Sequence, residues 1–393
     1  MDILKGIKQN VLVLGVVSFL TDISSEMIFP ILPIFLTTFL GAGTAIVGLI
    51  EGIADSLASL LDIFIGYWSD LKGDRKTFVT YGYGLSSISK IGFALASSWP
   101  VVLIFRGADR LGKSVRTSPR DAIIAASTDK SIRGKAFGLH RMMDTLGAIV
   151  GPLIVYFILT SMGSTESAYR TVFWVAVIPA FLAVAVILLF VREPKAAQVP
   201  QKKQKKHNFW QSLRILPANY KRYLYISCLF SLAYFSFALL IVRANDLGIS
   251  ASDILLIYVL YNIVYALASV PMGMLSDKIG RKAVIVGSFL LYALICVGFA
   301  LATSLWQVAL LFAVYGLFVS TDESVNKAYI SDITEEKGRG TALGAYNSAV
   351  GAVYLPASVL FGALWAAAGA AVAFGAAAAV AAVAGIALFF YAE

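Results

Sequence analysis

Cysteine and histidine are scarce in this chain, with two of each among 393 residues. Cys228 and Cys296 both fall inside apolar runs, so they read as small apolar filler and not as a disulfide. Two histidines and two separated cysteines do not make a soft-metal site, and no HExxH, paired CxxC or DDxxD motif is present. A GxxxxGKS/T phosphate loop is also missing, so nothing points to ATP hydrolysis, and no cofactor is implied. Charge is thin as well: 14% of residues are Asp, Glu, Lys or Arg, against about a quarter in soluble domains. Ten-residue segments of alternating polarity are absent, which excludes an outer-membrane barrel. No cleavable signal peptide is visible. The first apolar run is too long, carries Asp22 and Glu26, and lacks a small-residue cleavage site.

What fills the chain is apolar: 59% of residues are hydrophobic, in blocks of about twenty. A helix rising about 1.5 Å per residue crosses a hydrocarbon core of ~30 Å in that length. Twelve spans are expected, near 11–39, 44–69, 78–96, 100–125, 135–160, 170–191, 220–243, 250–275, 283–302, 305–327, 340–363 and 366–391. The net charge of +9 sits in alternate turns, at Lys72, Arg75 and Lys76; Lys130, Arg133 and Lys135; Lys278, Arg281 and Lys282; and Lys337 and Arg339. That placement argues against nucleic acid as partner and, by the rule that short basic loops stay inside, puts both termini in the cytoplasm. Residues 192–219, with Lys202, Lys203, Lys205 and Lys206, read as a solvated basic linker. The expectation is an all-α polytopic membrane protein of 12 transmembrane helices in two six-helix bundles, 1–191 and 220–393. It would sit in the cell membrane and work as a monomer.

The halves repeat. Gly66-Tyr-Trp-Ser-Asp70-Leu-Lys-Gly73-Asp-Arg75-Lys76 returns 207 positions later as Gly273-Met-Leu-Ser-Asp277-Lys-Ile-Gly280-Arg281-Lys282. Arg133-Gly134-Lys-Ala-Phe-Gly138 returns 206 positions later as Arg339-Gly340-Thr-Ala-Leu-Gly344. Over essentially its whole length the chain resembles the major facilitator superfamily, and in particular its twelve-span drug/proton antiporter-like branch. The loop with Gly66, Asp70, Gly73, Arg75 and Lys76 looks like the family's loop 2–3 signature, and Arg106 stands where the family has its span-four arginine. Gly138, Gly147, Gly151 and Pro152 match part of the span-five antiporter motif, while Val155 and Tyr156 stand where two further glycines would complete it. The resemblance implies two halves that rock about a site near the midplane, with the loop signature as a latch.

Physical reading of the embedded charges gives the candidate site. Each charge at the bilayer centre costs at least about 2.5–3.5 kcal/mol, so the embedded charges face one another or water. Asp22 and Glu26 share a helical face, as do Glu51, Asp55 and Asp62, and as do Arg106, Arg110, Lys113 and Arg120. By depth, Asp22 is expected near Arg110 and Glu26 near Arg106. Asp22, Glu26 and Arg106 form the expected proton-coupling group, because a carboxylate that alternates between an arginine and a desolvated setting would load and release a proton.

The expected substrate cavity joins Glu51, Asp55, Arg110, Lys113, Arg141 and Asp144 to Tyr234, Tyr261, Asn262 and Asn347, an aromatic and amide wall suited to an organic molecule. Arg141 and Asn347 correspond through the repeat. Expected gating residues are the loop set, Arg120 and Asp121, Gly147, Gly151 and Pro152, and Gly273, Asp277 and Arg281. Arg75 and Lys76 are expected to pair with Asp121 or Asp129. His140 is expected to be a hydrogen-bonded residue at the helix surface, and Lys90 to reach outward to the interface.

The function that follows is proton-coupled antiport of a small organic compound, exported by alternating access. Its alternative is proton-coupled movement of an organic or metal-chelate anion, clamped by the span-four arginines. A non-transporting sensor or a membrane enzyme would need an output domain or a catalytic set, and neither is present. A latch that does not touch substrate makes a specific prediction. Asp70→Asn should slow or abolish transport and leave substrate affinity largely intact, with Asp277→Asn doing less. Equal loss of binding in the first variant, measured by equilibrium binding, would place the loop in the site.

Overall fold

The computed structural model describes residues 6–72, 74–129, 132–193, 217–334 and 339–391. Within its helices it gives backbone alone at 59, 60, 62–72, 133, 134, 270, 323, 324, 339–341 and 391. Gly73 and most of the 192–219 linker lie outside the described residues, as do the side chains of Asp62 and Asp70, and Gly66 is described by its helical backbone alone.

The described regular structure is helical throughout: α1 Gln9–Ile28, α2 Leu32–Thr38, α3 Thr44–Lys72, α4 Arg75–Leu95, α5 Trp99–Ala126, α6 Arg133–Met162, α7 Glu166–Phe190, α8 Ala218–Ala233, α9 Phe237–Asp246, α10 Ala251–Ile279, α11 Arg281–Leu301, α12 Leu305–Asp332, α13 Arg339–Ala368 and α14 Ala370–Tyr391. Taken as passes, α1 with α2 and α8 with α9 each make one, which gives the twelve expected spans. Nine of these passes, among the described residues, are long and apolar enough to cross a membrane on length and composition alone. The other three, α3, α4 and α5, are of similar length and carry the polar groups of the site.

The two split passes break at matching points of the repeat. In the first, Pro30 lacks an N–H and its ring clashes with the preceding turn, so α1 ends at Ile28. The second breaks at Tyr234, 206 positions after Ile28, without a proline. There Ser236 caps α9 by accepting from the Ala238 N–H at 3.4 Å, and its own N–H donates to Ser358 Oγ at 3.0 Å. Side chains thus take over backbone bonding that a continuous helix would supply itself.

Two compact units emerge, one of Met1–Leu40 with Leu57–Lys202, the other of Gly41–Ser56 with Lys203–Glu393. The first half of α3 therefore belongs with the second unit, although chain order sets it in the first. There Thr44 Oγ1 donates to the Gly362 carbonyl at 3.0 Å and Ser56 Oγ donates to that of Gly351 at 2.7 Å. Helix α1 packs on α6 and α7, and α4 on α5 and α7; at equivalent places in the second unit α8 packs on α13 and α14, and α11 on α12 and α14.

Small residues set the closest crossings. A Cβ on Gly147 would lie 2.7 Å from the Phe19 carbonyl oxygen and 2.8 Å from Asp22 Cβ; one on Gly151 would lie 2.7 Å from the Ile23 carbonyl oxygen. These two glycines let α6 approach the very turns of α1 that carry Asp22 and Glu26.

The basic turns are built from their own motifs. Asp74 caps α4, accepting from the Thr77 N–H at 3.2 Å and its hydroxyl at 2.6 Å. Gly280 ends α10 at φ +95°, a conformation open to glycine and strained for other residues. Arg281 pairs with Asp277 at 3.3 Å and with Asp332 at the end of α12. Asn10 ties three segments together: its amide donates to Ser127 Oγ at 3.0 Å and to the Arg192 carbonyl at 2.8 Å, and accepts from the Arg192 N–H at 3.0 Å.

Candidate functional site

In the first unit the polar groups fall into two adjoining clusters, and the dividing line is helix α5. One face of α5 looks at α4, where Gly82 and Gly112 bring the backbones together: a Cβ on Gly112 would lie 2.6 Å from the Gly82 carbonyl oxygen. At that seam Lys90 Nζ donates to Asp109 Oδ1 at 3.0 Å and to Ser25 Oγ at 3.2 Å, joining α4, α5 and α1. Arg106 reaches the other oxygen of Asp109 at 3.7 Å and lies 5.4 Å from the centre of the Phe29 ring. Arg116 donates to Ser86 Oγ at 2.6 Å and stands 4.4 Å over the Tyr83 ring. Lys90 is 2% exposed and Arg106 4%.

Lys90 therefore does not reach outward to the interface. Its ammonium is turned into the bundle by Asp109, because a cation and a carboxylate taken out of water together are far less costly than either alone. Sequence reasoning missed this pair. The signal was the polar stripe Tyr83, Ser86, Ser87 and Lys90 on α4, spaced at i, i+3, i+4 and i+7 along one face.

The second cluster lies among α1, α5 and α6. Asp22 is half-buried and within electrostatic reach of Asp144, Glu26, Lys113 and Arg116. Lys113 sits beside Arg110 and also feels Glu26. Asp144 Oδ2 lies 3.7 Å from His140 Nδ1, and its Oδ1 is buried with no hydrogen-bond partner among the described residues. His140 is buried, not at the helix surface, and its Nε2 is hydrogen-bonded to Ser18 Oγ at 2.9 Å. Arg120 bonds the same Ser18 oxygen at 3.4 Å and Asp121 at 2.9 Å. Lys113 and Arg141 present exposed side chains in the midst of membrane-length helices. Asp22 thus lies within electrostatic reach of Glu26, Lys113 and Asp144, and Arg106 meets Asp109 as well.

Lys76 of the loop signature has other partners than Asp121 and Asp129. The Lys76 N–H donates to Glu193 Oε2 at 2.7 Å, and its Nζ to the Leu188 carbonyl at 3.1 Å. Asp129 faces Lys8 at 3.8 Å. The acidic groups at the end of α5 are thus engaged by Arg120 and Lys8, and Lys76 is drawn to the end of α7. In the second copy the pairing of loop cation with span end is present, as Arg281 with Asp332.

The second unit is aromatic. The Tyr315 hydroxyl donates to that of Tyr234 at 3.3 Å, and the Tyr234 ring lies 5.7 Å from that of Tyr354 and 5.6 Å from that of Tyr292. Tyr261 packs 5.0 Å from Phe237 and 5.8 Å from Tyr315. Asn262 donates to the Tyr258 carbonyl of its own helix at 3.1 Å, and Asn347 is exposed. Asn326 was outside the expected site, yet it bonds three groups: its amide donates to Asp322 Oδ1 at 2.6 Å and to the Tyr346 hydroxyl at 3.3 Å, and its oxygen accepts from the Tyr223 hydroxyl at 2.8 Å. Glu51 is 1% exposed, and Asp55, on the same segment, is half-buried.

The buried Lys90–Asp109 pair is open to a thermodynamic test. Lys90→Met strands a buried carboxylate and should cost about 3–5 kcal/mol of stability. Lys90→Met with Asp109→Leu should cost clearly less than the two single changes added together. Melting of the detergent-solubilised variants measures this, and strict additivity would mean that the pair does not act as one unit.

Comparison with known proteins fits this arrangement. The family model described as Major Facilitator Superfamily matches twice, at residues 14–243 and 224–393. An uncharacterized MFS-type transporter of Methanocaldococcus jannaschii is 39% identical over 368 residues, covering 92% of this chain and 89% of that one. The multidrug resistance protein MdtG of Enterobacter lignolyticus is 23% identical over 314 residues, covering 77% of this chain and 73% of that one. Among solved structures, a mutant of the nucleoside transporter NupG superposes with a TM-score of 0.82 at 14% identity, covering 96% of this chain and 98% of that one. On the matching family model and the relative that shares its length, the chain belongs to the Major Facilitator Superfamily and is a multi-pass membrane transporter of that type.

Proposed function

We propose that this transporter is a proton-coupled antiporter that exports a small organic compound by alternating access. The observation that carries the reading is the contrast between two sets of embedded carboxylates. Asp109 is pinned by Lys90 at 3.0 Å and is buried with it, so it is suited to holding helices together. Asp22 and Asp144 project from α1 and α6 where Gly147 brings those helices into contact, with Glu26 one turn along. Carboxylates gathered this closely repel one another when all are charged, and a proton on one relieves the repulsion. Two cations, Lys113 and Arg116, lie within electrostatic reach of Asp22. Small movements of α5 against α1 and α6 would tip that balance, which is what a proton-loading site requires. In this reading Arg106 anchors the group through Asp109. In the first unit the candidate substrate contacts are Arg110, Lys113, Arg141 and Asp144; in the second, taken by itself, they are Glu51, Asp55, Tyr234, Tyr261, Asn262 and Asn347. Gly66, Asp70, Gly73, Arg75, Lys76, Arg120, Asp121, Pro152, Gly273, Asp277 and Arg281 serve the gates.

A second reading is movement of an organic or metal-chelate anion. It is favoured by the adjacency of Arg110 and Lys113 and by the exposed Arg141, three cations that could hold a carboxylate or phosphate. Arg110→Gln and Arg141→Gln would then abolish transport of an anionic substrate.

The test is flux in proteoliposomes, with a labelled compound chosen by thermal-shift screening of the purified protein. Flux should collapse when the pH gradient is dissipated. Asp22→Asn should lose gradient-driven flux by at least about tenfold, the loss of one coupling contact, while exchange of substrate for substrate persists. Flux indifferent to the gradient rules out the antiport reading.

A further inference from the structure

We infer that His140 is the proton partner of Asp144: its ring takes the proton of that carboxyl at Nδ1 and returns it, while Ser18 satisfies the ring in either state. The inference deepens the reading given above by naming a residue that receives the coupling proton, and it rests on that reading only for the step of transport. The proton sharing itself stands on the geometry of α1, α5 and α6 in the first unit.

A buried histidine needs a partner for each ring nitrogen. His140 is 4% exposed, and both of its nitrogens face a polar atom. Nε2 meets Ser18 Oγ of α1 at 2.9 Å, and Nδ1 faces Asp144 Oδ2, one turn along α6, at 3.7 Å. The first contact is a hydrogen bond. The second is too long for one, and a small turn of either side chain closes it. The other oxygen of Asp144 is buried with no hydrogen-bond partner among the described residues, which leaves Oδ2 as the oxygen through which a proton can come and go.

Ser18 is fitted to serve more than one state of the ring. Its hydroxyl has one proton and two lone pairs. Arg120 Nη1 donates to it at 3.4 Å and occupies one lone pair. The second lone pair accepts from an Nε2–H, or the hydroxyl proton is given to a bare Nε2 instead. A histidine with this partner keeps its tie to α1 as a neutral ring in either tautomer and as an imidazolium. A backbone carbonyl in the same place would only accept, and would hold the ring in one tautomer.

Charged groups act on the ring from two helices, Arg120 and Asp121 from α5 and Arg141 and Asp144 from α6. Arg120 is itself met by Asp121 at 2.9 Å. From α1 come Ser18 and, one turn on, Asp22, which lies within electrostatic reach of Asp144. The step moves one proton and nothing else. The O–H bond of Asp144 breaks, an Nδ1–H bond forms, and a neutral pair becomes a carboxylate facing an imidazolium; the reverse step restores the neutral pair. With the proton on the carboxyl, Asp144 presents no charge to Asp22. With the proton on the ring, the negative charge is back beside Asp22 and is met by the imidazolium. The transfer thus sets how strongly the carboxylates of α1 and α6 repel each other, and it does so without opening the bond between His140 and Ser18.

The scarcity of histidine makes the test direct. The chain has two, His140 and His207, so nitrogen-15 NMR of the histidine-labelled full chain in nanodiscs reads both rings, and His140→Gln identifies the signals of the first. On acidification Nδ1 of His140 should gain a proton while Nε2 keeps one. In Asp144→Asn that uptake should need at least about tenfold more proton, as loss of an adjacent carboxylate requires. A functional arm uses proteoliposomes: gradient-driven flux should fall at least about tenfold in His140→Gly, the loss of one proton-transfer group, and should return when imidazole is added. Pyrazole, a ring of the same shape but too weak a base to take the proton, should not restore it. A His140 ring that gains no proton at Nδ1 before the protein unfolds overturns the inference, as does uptake in Asp144→Asn equal to that of the parent chain. Equal rescue by pyrazole overturns it too, in favour of a histidine that only fills the space between α1 and α6. The NMR measurement needs no gradient and no substrate, so its result is separable from the antiport reading. Proton sharing beside gradient-independent flux would remove antiport alone, and a ring blind to Asp144 beside gradient-driven flux would remove proton sharing alone.

Discussion

A charge inside a bilayer has to be met by an opposite charge, by hydrogen bonds or by water, and much of this molecule is arranged around that demand. The contact between Lys90 and Asp109 is its clearest expression. It joins α4 to α5 at the point where Gly82 and Gly112 remove the side chains that would hold the backbones apart. It recruits Ser25 from α1 and draws Arg106 to the same carboxylate. With Asp109 committed in this way, the carboxylates on the other side of α5 are left to serve a different purpose. Asp22, Glu26 and Asp144 stand close to one another, with cations nearby, and their balance depends on how α1, α5 and α6 lie together.

The repeat of the chain is visible in more than its loop motifs. Both first passes break at equivalent positions, and equivalent helix pairs pack in each unit. What the two units do with the same frame differs. The first spends it on charge, and the second on tyrosine, with Asp322 and Asn326 in place of an arginine-rich helix. The first half of α3 crosses over and packs with the second unit. It takes Glu51 and Asp55 with it, which adds two carboxylates to the unit that also holds Asp322.

Much of the fold was legible in the residues. Hydropathy and basic turns located twelve passes within a few positions, because a span's length is set by the bilayer and its ends by charge. The breaks at Ile28 and Tyr234 were not legible to the same degree. Pro30 announces the first, but the second is made by Ser236 and Ser358, far apart in sequence. The site was legible in its residue types and less so in its pairings. Asp22 and Glu26 on one face, and the cations of α5, followed from helical spacing. Depth placed Asp22 and Glu26 among the cations of α5, but it did not show that Arg106 also meets Asp109, or that Lys113 and Arg116 act on Asp22. A helix has faces as well as depth, and which face meets which neighbour is fixed by packing at glycines such as Gly82 and Gly147.

The reading turns on whether the carboxylates gathered on α1 and α6 give up a proton when substrate binds. Proton release on ligand binding tests it most directly. Purified protein in weakly buffered detergent solution, with a pH-indicating dye, is titrated with the compound found by thermal-shift screening. The account predicts that binding expels protons from the parent chain, and that Asp22→Asn still binds the compound but releases none. Loss of binding in Asp22→Asn, or proton release that survives the substitution, would contradict it.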